Sequence, residues 1–205
     1  MGSSWASRFR AGIFAIVAAA CVISTASAAA DITARPIARD ANDQRPFAIV
    51  DKRQATLSVY DGAGRLVGRT PALLGVTPGD IEPASARGKS PSALQMHERV
   101  TPAGRFQALP GRNLSGERVV WFDYEANLAI HRLRPTASRE YRLQRLASNN
   151  PNDHRVTLGC VVVDPAFFDE VVLPTLGQGS SLVYVLPERE PTVAAGAGTP
   201  RVAVP

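Results

Sequence analysis

Cysteine is nearly absent: there are two in 205 residues, Cys21 and Cys160. A disulfide framework is therefore excluded as the support of the fold. Histidine is almost as scarce. His97, His131 and His154 show neither His-x-x-x-His spacing nor a Cys-x-x-Cys partner, so no metal site is read and no cofactor is expected. There is no glycine-rich phosphate loop and no Gly-x-Ser-x-Gly elbow. Lys/Arg tracts are missing too. The formal charge of +5 comes mostly from arginines scattered among acids, without aromatic interleaving, which excludes nucleic acid as the expected partner. The one long apolar run, residues 11–23, falls short of the roughly 20 residues a stable bilayer span takes.

That run does fit a secretory signal. Arg8 and Arg10 precede it, and Ala26-Ser27-Ala28 supplies the small residues of a cleavage site, so a mature chain is expected to start near Ala29 with no stable membrane span. A second reading, acylation of Cys21 as a lipoprotein, stays open. Removing Arg8 and Arg10 lowers the charge by two, from +5 to +3. The expected organisation is a signal peptide over 1–28, a linker over 29–45, one folded domain over 46–187 and a disordered tail over 188–205, the last rich in Pro, Ala, Gly and Thr. About 175 residues suffice for one real core. Hydrophobic content of 45% with 20% charged residues is ordinary for a soluble domain.

Most of this domain reads as strand. Residues 46–51 and 55–60 are short β-branched or aromatic runs, Asp61-Gly62-Ala63-Gly64 is a hairpin signal, and residues 65–69 resume. Residues 76–100 are loop-like. Residues 119–124 and 127–131 form another strand pair, in which Trp121, Phe122 and Tyr124 read as strand packing with one of them flanking a cleft. A helix is expected over 138–147, with Tyr141, Leu143 and Leu146 on one face. A second opens at Asp164 as N-cap, with Pro165 at the first helical position and Phe167, Phe168, Val171 and Val172 turned to the core. Residues 181–186 close the domain as a strand.

An exported chain that keeps one thiol needs a use for it, and the simplest is a nucleophile at Cys160. An inert buried thiol is the duller alternative. A thiol with an ordinary pKa of roughly 8.5 is only slightly ionised at neutral pH and needs a base. His131 ends an apolar strand, a rigid mount for a general base. His154 lies six residues before the cysteine in a polar stretch, and His97 sits in the long loop beside Glu98; both remain weaker candidates. Backbone amides of Gly159 and Cys160, with Leu158, are the expected oxyanion donors. Thr157 and Leu158 are expected on the substrate side, as is Arg132, with Arg134 as its alternative.

Thr101-Pro-Ala-Gly-Arg-Phe106, Ala129-Ile-His131 and Thr157-Leu-Gly-Cys160 occur in the order of the three landmarks of the YkuD-type L,D-transpeptidase catalytic domain, and the chain resembles that family over residues 46–187. The resemblance implies a mostly β fold, a curved β-sandwich with one or two short helices, here preceded by a signal peptide. It also implies work on peptidoglycan stem peptides in the periplasm or cell envelope, with an amine-bearing envelope protein as a second acceptor. Two positions depart from the pattern. Leu158 stands where a second histidine is usual, and Val162 where the family carries Arg or Asn. The separation of 29 between His131 and Cys160 is long, which marks 132–155 as an insert expected to lie over the cleft. The same fold acting as a hydrolase, or as a non-catalytic envelope-binding module, remains open at this level.

Overall fold

The computed structural model describes residues 44–134 and 141–188. The expectations for the signal peptide, for the tail beyond Glu188 and for all but the end of the linker lie outside these residues. No helix among them is long and apolar enough to cross a membrane.

The first strands follow the predicted spacing. β1 (Phe47–Asp51) pairs antiparallel with β2 (Thr56–Tyr60), which pairs with β3 (Leu66–Pro71). Asp61 makes the turn between β2 and β3, its Oδ1 accepting from the amides of Ala63 and Arg65 at 3.0 and 2.9 Å. After the short β4 (Leu74–Gly75) and a long loop come β5 (Gly104–Arg112), β6 (Arg118–Asp123) and β7 (Leu128–Arg132). Two short strands follow, β8 (Arg155–Thr157) and β9 (Val161–Val163), and β10 (Ser181–Val185) ends the order. Eight of these form one sheet, β3-β2-β1-β10-β5-β6-β7-β9, while β4 pairs separately with β8.

The sheet curls until its two ends nearly meet. Just beyond β3, Leu73 exchanges both backbone hydrogen bonds with Val162 of β9, at 2.8 and 2.9 Å. Alternate residues from both halves fill the space within: Val50, Leu57 and Val59 from one side, Val120, Ile130 and Val161 from the other. The mostly β, curved-sandwich expectation holds in this form.

The second predicted helix is present. Asp164 caps it by accepting from the amides of Ala166 and Phe167, and Pro165 takes the first position. Phe168, Val172 and Leu176 are buried in the core. The helix widens into a π-turn over Phe168–Val172 just before Pro174, whose ring would clash with the carbonyl four residues back in a regular α-helix. Of the first predicted helix, residues 138–140 lie outside the described residues, and the part from 141 on is shorter than expected. It runs over Arg142–Leu146, and of its three proposed core residues only Leu146 is buried, with Tyr141 and Leu143 exposed at 64% and 66%.

Candidate active site

β9 lies parallel to β7, with Ile130 opposite Val161 and His131 opposite Val162. Side chains alternate along each strand. Leu128, Ile130, Val161 and Val163 enter the core, so Ala129, His131, Cys160 and Val162 share the outer face. Cys160 and His131 are diagonal neighbours there, with Cα atoms about 8 Å apart by the strand rise and spacing, a separation that side chains on one face can bridge. The register thus brings the proposed nucleophile and base together.

The histidine ring is oriented by its own strand. Nδ1 lies 2.9 Å from the Arg132 carbonyl, which can only accept, so Nδ1 carries the proton and Nε2 keeps its lone pair. Burial holds the imidazole below its ordinary 6.5, against the pull of that carbonyl, and the charges of Arg134 and Arg142 add to the lowering. The thiol is also held neutral. Burial pushes Cys160 above its ordinary 9.0, opposed by the Ala129 amide and the same two arginines. At rest Sγ donates to the Asn127 carbonyl at 3.5 Å. Asn127 has a φ of 57°, a left-handed turn conformation that asparagine tolerates.

The loop carrying the cysteine is fixed by two hydroxyls. Thr101, fully buried, accepts from the Gly75 amide at 2.9 Å and donates to the Gly159 carbonyl at 2.8 Å. Thr157 accepts from the Gly159 amide at 3.1 Å and donates to the Cys160 carbonyl at 2.7 Å. Buried Lys52 reinforces this from behind, its Nζ on the Thr101 carbonyl at 2.9 Å and on Asp80 at 2.6 Å. The Thr-Pro-Ala-Gly turn is therefore a brace for the cysteine loop. Gly159 has a φ of 130°, and a Cβ there would lie 2.7 Å from both Leu128 Cδ2 and the Val100 carbonyl oxygen, so only glycine fits.

These contacts revise three of the expected roles. The Gly159 amide already has an acceptor in Thr157, so of the three expected oxyanion donors those of Leu158 and Cys160 remain. Thr157 is 2% exposed and works inside the loop, facing no substrate. Arg132 falls on the opposite face of β7, opposite Val163, with Asp169 and Glu117 at 3.6 and 3.8 Å. Strand alternation alone could have excluded it, because neighbours of an outward histidine turn away. Arg134, bound to Glu117 at 2.6 Å, is the cation whose charge reaches both Cys160 and His131. Arg142, also within reach of both, has no signal in the sequence, since the insert had to fold back first.

His154 is 3% exposed, its Nδ1 and Nε2 at 3.2 and 3.0 Å from the carbonyls of Ala72 and Ser148. Both nitrogens are occupied, which makes it a pin for the insert. Leu158 lines a narrow cleft against Leu94, Val100 and Leu128, under the 76–100 loop. Val162 packs with Leu73, Leu133 and Leu146, so the insert does lie over this face, with Cys160 at the edge of the cluster.

No family model and no curated protein matches the chain. Among solved structures it is similar to an L,D-transpeptidase from Mycobacterium smegmatis, at 15% identity and a TM-score of 0.41 over 69% of this chain and 58% of that one. It is also similar to the helical cell shape determining protein of Campylobacter jejuni, at 14% and 0.48 over 71% of this chain and 49% of the other. A third is the catalytic domain of an E. faecium L,D-transpeptidase, at 18% and 0.40 over 70% of this chain and 98% of the domain. The chain thus spans about half to three fifths of the first two.

Proposed function

We propose that the protein is an exported cysteine L,D-transpeptidase acting on peptidoglycan stem peptides. The reading is supported by the β7–β9 register, which sets Cys160, the residue before β9, diagonal to His131 on the outer face, with the imidazole Nδ1 on a carbonyl and the cysteine loop braced by Thr101. The three sequence landmarks support it, since each has a part in this one site.

The step begins from a neutral pair. His131 Nε2 takes the Sγ proton as the sulfur attacks the carbonyl carbon of an L-to-D peptide bond. The amides of Leu158 and Cys160 receive the oxyanion. The C–N bond then breaks, the imidazolium gives its proton to the leaving amine, and a thioester remains on Cys160. An acceptor amine attacks that thioester and passes its proton through His131 back to the sulfur. The new amide leaves with the acyl group. Arg134 and Arg142 stabilise the thiolate and discourage a charged imidazole at rest. The signal segment at 1–28 would place this chemistry in the periplasm or cell envelope, with a stem-peptide amine or an envelope-protein amine as acceptor.

The test is digestion of purified sacculi after incubation with the protein. New cross-linked muropeptides are expected, lost in Cys160→Ser and reduced about 10²–10⁴-fold in His131→Ala. Loss of existing dimers without new ones would assign a hydrolase instead. No Cys160-dependent change at all would leave a binding module.

A further inference from the structure

Two strands from the nucleophile, the outer face of the sheet carries an aromatic floor that the chemistry above does not use. Leu109 of β5 stands opposite Trp121 of β6, and Trp121 stands opposite Ala129 of β7. Ala129 is level with Cys160, one residue before the Ile130–Val161 pair. Trp121 is therefore in the sulfur's own cross-strand row, about 10 Å away by strand spacing. A groove of about 570 Å³ opens over this face, whereas the cleft beside Leu158 holds only about 20 Å³.

The floor is built for a flat ring. A Cβ on Gly111 would come within 2.6 Å of the Trp121 indole, so the glycine lets that ring lie along β5. Tyr124 meets Trp121 edge-on at 5.3 Å and 75° and is itself 75% exposed, giving a wall to the floor. Gln107, Asp123 and Glu125 edge the groove. Arg112 joins Asp123 and Glu125 in the lining, so the rim carries charges of both signs.

A chain of neutral pyranoses fits a lining of exposed aromatic rings edged by a few polar groups. Its axial C–H faces lie on indole and phenol rings, and its equatorial hydroxyls and amides find acceptors in Asp123 and Glu125 and a donor in Gln107. We infer that the Trp121–Tyr124 groove binds the glycan strand of the substrate, seating N-acetylated sugars while Cys160 works on the attached peptide. The choice of N-acetylated sugars rests on the function proposed above.

The probe is the N-acetylglucosamine tetramer, titrated against a Trp5→Phe chain in which Trp121 is the sole indole. Saturable change in its fluorescence is expected. Calorimetry should show affinity falling at least about tenfold in Tyr124→Ala, an exposed site that spares the fold, and further in Trp121→Ala. Cys160→Ser should bind the tetramer as the parent does. No saturable signal, or affinity unchanged in both aromatic variants, overturns the glycan groove even if sacculi are cross-linked. Aromatic-dependent binding in a protein inert toward sacculi supports the groove and removes the transpeptidase reading instead.

Discussion

At Cys160 and His131 the local environment favours neutral thiol and neutral imidazole, so an ion pair is not the resting state. Alkylation of Cys160 by iodoacetamide is expected to rise with a midpoint above 9.0, and the acid limb of turnover to lie below 6.5. Arg134→Ala removes a cation that lowers both groups, so both midpoints should move to higher pH. Unmoved profiles would show that this charge does not reach the pair. Gly159→Ala forces a side chain into a left-handed backbone and onto Leu128, and should cost on the order of 1–3 kcal/mol in thermal or urea melts. Cys160 and His131 stood out as candidates by their scarcity and setting, and the strand register sets both on one face. The brace did not stand out, because Thr101 and Gly159 are 58 residues apart and only the fold shows that one donates to the other.

Among the elements, the insert after β7 decides how the site differs from the pattern it resembles. Leu146 covers Val162, Leu73 and Leu133 on the outer face, so a polar residue at position 162 would be buried without a partner. Leu146→Ala should lower stability by about 2 kcal/mol, at the lower end for a buried leucine, and speed alkylation of the neighbouring thiol. Unchanged alkylation would mean that the helix does not shield the sulfur. Asp164 and Pro165 announced their helix because the cap is local chemistry. The helix ending at Leu146 was over-read from spacing alone. β5 was missed for the opposite reason: Gly104, Pro110 and Gly111 weaken its strand signal, and its stability comes from pairing with β10 over its first half and with β6 over its second.

Across the molecule, the strand pairs and mostly β class could be read in advance, but the curl of the sheet could not, since it depends on Leu73 finding Val162 across the whole chain. An ion pair within the long loop adds a pH dependence to stability. Lys89, then other donors at its loop, hold buried Glu98 at about 2 against an ordinary 4.5. A depressed carboxylate stabilises above its unfolded value and loses that contribution as pH falls from about 4.5 through about 2. Glu98→Gln should melt below the parent at pH 7, and the gap should close on acidification; a constant gap would exclude the linkage. β9 has three residues, held between Leu73 on one flank and β7 on the other, and Cys160 immediately precedes it. The proposed catalytic pair therefore lies beside the short strand through which the wound strip closes. Warming should silence the proposed activity several degrees before the far wall loosens, making inactivation an early gauge of unzipping.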